Sequence, residues 1–174
     1  MSTKKSWMKD NVNIIKNIPI NKLCLLGSHD SGTYDISSIY ISRFTNWVST
    51  ILVVLSGNPL VALLKHGVIA YIQGWVKTQP SNLKDQLNRG VRYFDLRVTN
   101  DGEQIYTAHS FLTAKLENIL KDIQSFLNDS RDEILLLDIQ DLDFGDRHDE
   151  LMPKFIALIK QYIPQEKYAV SDDK

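Results

Sequence analysis

The stretch GVRYFDLRV, residues 90–98, organises the predicted fold. It is largely apolar and β-prone, and after Arg92 its charged residues are Asp95 and Arg97, which lie two positions apart. Because alternate residues of a strand point to the same face, this strand would present a carboxylate and a guanidinium side by side. A structural ion pair at a strand end would look the same, so the stretch alone leaves function open.

Two histidines supply the context for this strand. His29 follows the apolar run NKLCLLG in the sequence SHDSG, and His109 ends the run QIYTA. Small residues around His29 and Asp30 allow a tight turn and an uncrowded imidazole, although a solvated turn would share that pattern. Each histidine therefore ends a predicted strand, as a residue of a common site would.

Composition limits the class of protein. The 174 residues are 43% hydrophobic and 24% charged with a net charge of −1, which predicts one soluble domain and argues against general nucleic-acid affinity. Cys24 is the only cysteine, so no disulfide framework or thiolate metal site exists, and its apolar neighbours predict burial. The N-terminus lacks a secretory signal, which predicts a cytoplasmic protein, with peripheral membrane attachment as the alternative.

The segment 44–76 is unusually apolar, since Lys65 and His66 are nearly its only ionisable residues. The sequence GNP at 57–59 divides it into two pieces that are each short for a membrane span. We expect two helices packed on the core or on a partner. The alternative is an element lying in the interface of a bilayer.

Strands and helices alternate along the chain, which predicts an α/β fold with parallel strands. The run EILLLDI, 133–139, predicts a strand buried on both faces. The polar candidates end four successive strands, where a TIM-type barrel carries its site. The predicted strands are 21–27, 90–98, 104–108 and 133–139, and the main predicted helices are 111–128 and 153–163.

Five ordered motifs carry a resemblance to a known family, and the first is the pair Trp7 and Met8 near the start. The other four are longer. PINKLCLLGSHDSGTY, TQPSNLKDQLNRGVRYFDLRV, YTAHSF and DEILLLDIQDL are similar to the X region of phosphatidylinositol-specific phospholipase C, in its small X-domain-only form. The resemblance covers nearly the whole chain except 44–76, treated as an insertion. It implies one domain over 1–174 with about four strand–helix units, the N-terminal half of a TIM-type barrel that in full needs about 250 residues.

The resemblance also implies a chemistry, the cleavage of phosphatidylinositol-type lipids by two histidines. His29 would take the proton of the attacking inositol hydroxyl, and His109 would protonate the leaving oxygen. Asp30 would orient the acid imidazole, and Arg97 would neutralise charge on the phosphoryl oxygens. Asp95 would hold Arg97 or the nucleophilic hydroxyl in place.

The same resemblance predicts that no metal or other cofactor is used. Calcium-dependent members carry Asn after the first histidine and acidic residues later, where this chain has Asp30, Arg97 and Gln140. A guanidinium at Arg97 would take the space and charge of the cation. Asp138 and Gln140 are then candidates for substrate binding rather than for metal ligation.

The expected partners are a phospholipid substrate at a membrane surface and a second copy of the chain that covers the open barrel edges, with no nucleic acid. The alternative function is a truncated, catalytically inactive lipid- or partner-binding module in which segment 44–76 does the binding. His66 and His148 lack the surrounding motifs of His29 and His109 and receive no role.

Overall fold

A computed structural model describes residues 4–36, 71, 74, 77–109 and 111–168 of the chain. Segment 44–76 thus lies outside the described residues except for Tyr71 and Gly74. The described helices are α1 Trp7–Asp10, α2 Val12–Ile15, α3 Leu83–Asn88, α4 Leu116–Asp129 and α5 His148–Tyr162, with 3₁₀ turns at Lys4–Ser6, Ile20–Lys22, Gly145–Arg147 and Gln165–Lys167. Over these ranges, no helix is both long enough and apolar enough to cross a bilayer.

In the part of the chain that the structure describes, five strands form one sheet around a central strand. They are β1 Gly27–Ser28, β2 Tyr93–Asn100, β3 Ile105–His109, β4 Phe111–Lys115 and β5 Leu136–Asp143. Strand β2 is parallel to β1 and to β5, and β3 returns antiparallel to both β2 and β4. Helices and parallel strands alternate along the described chain, as the predicted α/β class requires.

The two faces of β2 have opposite characters. Phe94, Leu96 and Val98 are almost fully buried in the hydrophobic core, together with the apolar face of α4. Asp95 and Arg97 lie on the other face, because successive side chains of a strand alternate. The apolar face fixes the register of β2 and thereby aims the charged pair away from the core.

The third predicted strand is present but runs in the other direction. It spans Ile105–His109 and pairs antiparallel with the end of β2, through Val98 opposite Thr107. The physical reason is the short connection over 101–104, since parallel strands need a crossover of a dozen or more residues. The turn signal at Asn100 and Gly102 was therefore that of a hairpin.

The first long helix starts later than predicted. Residues 111–115 form β4, and α4 begins at Leu116 instead of Phe111. Leu112 lies four residues before Leu116 and so matches helical spacing. Periodicity contains no information on the partner strand β3, which draws these residues into the sheet.

Two predictions of burial were wrong. Strand β5 is only partly buried along its length, and Ile134 just before it is 53% exposed. Cys24 is exposed, and the first strand contracts to Gly27–Ser28. Both exposures have the same cause. Within the described residues, β1 and β5 each pair with β2 alone, so no described strand covers their outer sides.

Candidate active site

A tight turn directly after β1 presents His29 and Asp30. Asp30 has φ of +47°, a left-handed conformation that is uncommon for residues other than glycine. The Ser31 backbone N–H donates to the carbonyl oxygen of Asp95 at 2.8 Å, which fastens the turn to β2. The turn therefore carries both side chains to the charged face of β2.

Asp30 is the centre of the site. Its Oδ1 lies 2.8 Å from Arg97 Nε, and its Oδ2 lies 2.6 Å from His109 Nδ1 and 3.2 Å from His29 Nε2. The Asp95 Oδ2 lies 2.8 Å from His29 Nδ1, whereas its Oδ1 is 3.9 Å from Arg97 Nε. The principal partner of Asp95 among the described residues is thus His29, whereas the resemblance implied that Asp95 would hold either Arg97 or the nucleophilic hydroxyl.

The site combines buried carboxylates with accessible bases. The Asp30 side chain is fully buried, while the side chains of His29, Arg97 and His109 are 66%, 35% and 31% exposed. Burial alone would raise the pKa of Asp30, but His109, Arg97 and His29 together lower it below its ordinary value. Asp30 is accordingly a charged carboxylate that faces three cationic or ionisable groups.

Most of these close contacts are ion pairs rather than well-aligned hydrogen bonds, and the exception is His29 Nδ1 with Asp95 Oδ2. Among the described residues, none donates a properly directed hydrogen bond to either carboxylate oxygen of Asp30 or to Oδ1 of Asp95. Buried carboxylate oxygens normally have such donors. Asp30 is therefore held mainly by the charges around it.

Asp138 and Gln140 form a second group with Tyr93. The Tyr93 hydroxyl donates to Asp138 Oδ2, and Gln140 Nε2 donates to the same oxygen at 3.0 Å. The hydrogen bond to Asp138 raises the pKa of Tyr93. The β5 register shifts at Gln140, opposite the step from Leu96 to Arg97, and such bulges re-aim side chains beside sites.

A cation could approach one part of the cluster. One ligand atom each from His29, Asp30 and Asp95 lie within 4.8 Å of one another. Arg97 already places its guanidinium 2.8 Å from Asp30 and supplies the positive charge that a metal ion would bring. The donor set therefore suits a divalent ion poorly, because two cations would share one carboxylate.

The five ionisable residues singled out in the sequence are all brought together, and Asp138 and Gln140 lie in the adjoining group. Sequence reasoning missed Tyr93, and it missed Gln86 and Thr107, which bond to the turn after β1. Gln86 lies among the polar residues Lys84, Asp85 and Asn88 and gives no such signal, whereas Tyr93 and Thr107 are polar side chains inside largely apolar runs. That pattern is a usable signal, because a polar group on a buried face needs a partner.

Fold and site together define a class: an α/β sheet of TIM-barrel type with two histidines, an arginine and two carboxylates beside its central strand. Solved structures agree with the fold. A phosphatidylinositol-specific phospholipase C from Listeria monocytogenes is 24% identical and covers 93% of this chain and 47% of its own, with a TM-score of 0.54. One from Staphylococcus aureus is 19% identical and covers 92% and 44%, with a TM-score of 0.57. The predicted fold class is confirmed.

Sequence comparisons give the family, although no family model matches the chain. The variant-surface-glycoprotein phospholipase C of Trypanosoma cruzi is 35% identical over 83% of this chain and 38% of its own length. The human PI-PLC X domain-containing protein 3 is 30% identical over 76% of this chain and 40% of its own length. The chain belongs to the phosphatidylinositol-specific phospholipase C X-domain family. It spans about two fifths of the length of these relatives.

Proposed function

We propose that this chain is a metal-independent phosphodiesterase that cleaves phosphatidylinositol-type lipids. The observation that carries the proposal is the Asp30 carboxylate, which contacts His29, Arg97 and His109 within 3.2 Å while the imidazoles remain open to solvent. Two solvent-accessible imidazoles beside the Arg97 guanidinium, a cation that can bind a phosphoryl group, are suited to general acid–base cleavage of a phosphodiester. Residues 1–174 act in this proposal as one X-type domain.

His29 is the general base in this mechanism. His29 Nδ1 makes an aligned hydrogen bond at 2.8 Å to Asp95 Oδ2, whereas Nε2 lies 3.2 Å from Asp30 Oδ2 without an aligned one. Since a carboxylate can only accept, the proposal places the proton of the neutral imidazole on Nδ1. Nε2 is then the nitrogen that takes the proton of the inositol hydroxyl as this hydroxyl attacks phosphorus, and Asp95 orients the imidazole.

His109 is the general acid. Its Nδ1 contacts Asp30, so Nε2 faces the substrate and gives its proton to the diacylglycerol oxygen as the P–O bond breaks. Arg97 lies between the carboxylates and stabilises charge on the non-bridging phosphoryl oxygens. The proton removed by His29 and the proton given by His109 balance over the step, which forms a cyclic inositol phosphate.

Arg97 is the basis for the proposed independence from metal. Its guanidinium is always charged near neutral pH and donates from a planar fork, as phosphoryl oxygens require. It lies on the same strand as Asp95 and within contact of Asp30. A divalent ion bound to the same carboxylates would have to displace it.

The substrate is proposed to reach the site from a membrane surface, since its lipid chains stay in the bilayer. The inositol head group would contact Asp138 and Gln140, whose polar atoms lie beside β2 with the Tyr93 hydroxyl. Hydroxyl groups of a sugar-like ring pair well with carboxylate and amide side chains. A cytoplasmic location is kept as part of this proposal.

One variant distinguishes this enzyme from a binding module that uses segment 44–76. His109→Ala should reduce inositol phosphate release from phosphatidylinositol vesicles by about 10²–10⁴-fold while vesicle binding stays at the wild-type level. His148→Ala, on α5 and far along the chain, is the matched control and should leave both measurements unchanged. Equal turnover in His109→Ala and wild type would refute the proposed mechanism.

We also infer that a second copy covers the open edges of the sheet. Beside β5 lies a groove of about 520 Å³ whose lining includes Ile134, Leu137, Ile159 and Tyr168. The outer side of β1 also exposes apolar Leu26. A strand edge with apolar neighbours favours pairing with another chain, and β1 of one copy could pair parallel with β5 of another.

Sedimentation equilibrium tests the self-association. The wild-type chain should be dimeric at micromolar concentration, and Ile134→Lys should shift it to a monomer, whereas Ile14→Lys at the exposed N-terminal helix should not. A wild-type monomer that is fully active would contradict the inference.

A further inference from the structure

Gln86 lies on α3, and its buried side chain sits beneath the turn that carries His29 and Asp30. Its Oε1 lies 2.6 Å from Ser28 Oγ, and its Nε2 donates to the carbonyl oxygen of Ser31 at 3.0 Å. A buried amide must find partners for both ends, or folding loses free energy. Gln86 satisfies both ends with the two serines that flank His29 and Asp30.

The orientation of the Gln86 amide follows from a count of protons. Nε2 also donates to the carbonyl oxygen of Ser81 at 2.9 Å, so it faces two groups that only accept. Oε1 must therefore receive the single proton of the Ser28 hydroxyl. The Ser31 hydroxyl lies 2.6 Å from Ser28 Oγ and 2.7 Å from the Ser28 carbonyl oxygen, and its single proton serves one of these two acceptors. A rotated amide would set oxygen against two oxygens.

The turn depends on such support because Asp30 adopts a left-handed backbone conformation. Its other anchors are the Asp95 carbonyl oxygen, which accepts from Ser31 N, and Thr107 Oγ1, 3.4 Å from the Gly32 oxygen. The side chains of Thr78 and Gln79 also donate to the carbonyl oxygens of Asp30 and His29. Among the described residues, Gln86 is the side chain that holds the turn at both Ser28 and Ser31. Residues 29 and 30 lie between these two points.

We propose that Gln86 is a positioning residue that sets the relative geometry of His29 and Asp30 through the two serines. The inference rests on the proposed phosphodiesterase function and goes deeper, since it assigns the control of the acid–base geometry to α3. Movement of the turn would lengthen the 2.8 Å contact of His29 with Asp95 and the 2.6 Å contact of Asp30 with His109. Proton transfer requires contacts of about that length.

The kinetic test uses Gln86→Met in the full chain, because methionine keeps the length of the side chain and removes the amide. On phosphatidylinositol vesicles, kcat should fall about 10–100-fold with KM within about twofold, as expected for a misplacement of the order of 1 Å. Tyr162→Phe is the control, since it removes a part-buried side-chain hydrogen bond away from the site, from Tyr162 to Glu117 between α5 and α4. Its kcat should stay within about twofold of wild type.

A second measurement does not need turnover. In wild type the contact with Asp95 fixes the His29 proton on Nδ1, so the two imidazole nitrogens should have well-separated ¹⁵N chemical shifts. In Gln86→Met, the shifts of His29 should move towards a mixture of tautomers, while those of His148 stay constant. If Gln86→Met does not fold, Ser28→Ala is used instead, because it removes the hydroxyl that donates to Gln86 Oε1. The same fall in kcat and the same change in the His29 shifts are expected.

Lost turnover together with altered His29 shifts supports the proposal. Unchanged His29 shifts, or a kcat equal to that of Tyr162→Phe, would overturn it. Absence of turnover in folded wild type would refute the proposed function, and the His29 shifts would still decide whether Gln86 positions the turn.

Discussion

Two arginines, one just before β2 and one in its middle, are each paired with carboxylates, and the pairs differ in almost every physical respect. Arg92, immediately before β2, is fully buried and contacts Glu133. Arg97, within β2, has a side chain that is 35% exposed and contacts Asp30. An arginine–carboxylate pair thus occurs twice along this stretch. The pair of Arg92 and Glu133 is fully buried and is called the sealed pair, and the pair of Arg97 and Asp30 is partly exposed to solvent and is called the open pair.

The Arg92 pair is completely satisfied. Arg92 Nε donates to Glu133 Oε2 at 2.8 Å, and its other nitrogens donate to the carbonyl oxygens of Leu87 and Lys5. Glu133 Oε1 accepts from the backbone N–H of Met8 and so holds the N-terminal helix against the sheet. Such a pair has no capacity left for a ligand, and its role is structural.

The hydrogen-bonding groups of the Arg97 pair are not all satisfied in this way. The carboxylate oxygens of Asp30 have ion-pair neighbours but no aligned donors among the described residues, and His29 and His109 face solvent. The comparison teaches that unsatisfied acceptors beside exposed bases, rather than the presence of an ion pair, distinguish a site from a structural pair.

The largest expected effect on stability belongs to the sealed pair. Glu133→Ala leaves the Arg92 charge buried without its carboxylate, which should lower the free energy of unfolding by about 3–5 kcal/mol. Urea unfolding followed by circular dichroism measures this change. Asp132→Ala, which removes a carboxylate from the exposed pair with Lys9, is the control and should change stability by about 1 kcal/mol or less.

The open pair should respond in activity instead. Arg97→Met should lower kcat/KM by about 10²–10³-fold, because one charged donor to the phosphoryl oxygens is lost. Its free energy of unfolding should change far less than that of Glu133→Ala. If Arg97→Met instead unfolded the chain and left turnover per folded molecule intact, the contrast between the two arginines would be wrong.

A third variant tests how tightly the open site is packed. A Cβ at Gly32 would overlap the buried Thr107 side chain, so Gly32→Ala should cost about 1–3 kcal/mol of stability and also lower turnover through the turn. At Gly74 no described atom lies within 4 Å of a new Cβ, and Gly74→Ala serves as the control. Equal stability of the two variants would indicate a looser turn.

The smallest effect concerns acid stability. Because the pKa of Asp30 is lowered in the folded state, its contribution to stability is complete above the ordinary carboxyl pKa of about 3.9 and is lost as pH falls through the lowered value. Asp30→Asn should therefore flatten the acid limb of the stability curve.

Asp122 should show the opposite effect. Burial raises its pKa in the folded state, so its charged form destabilises the fold and this cost disappears as pH falls. Asp122→Asn should therefore steepen the loss of stability between neutral pH and pH 4. The same change of slope in both variants would contradict these assignments.

Much of the fold could be predicted because β2 and α4 carry strong periodic patterns. Phe94, Leu96 and Val98 alternate with charged residues, and Ile119, Leu120 and Ile123 follow helical spacing. The direction of β3 could have been inferred from the short turn before it. The exposure of Cys24 and Ile134 could not, because burial at a strand edge depends on the neighbour rather than on the strand itself.

The residues that form the candidate site were easier to predict from the sequence than the contacts among them. Its ionisable residues follow short apolar runs, so strand ends bring them together. That Asp95 contacts His29 rather than Arg97 depends on the left-handed turn at Asp30, which no spacing rule contains. The support from Gln86 likewise depends on the packing of α3 against that turn.

The most direct test of the central claim is inositol phosphate release from phosphatidylinositol vesicles in excess EGTA, by wild type and by His29→Ala. The account predicts that wild-type turnover is the same with EGTA and with added Ca²⁺, and that His29→Ala loses it in both. Turnover that EGTA abolishes and Ca²⁺ restores, or that survives in His29→Ala, would contradict the metal-free mechanism with two histidines.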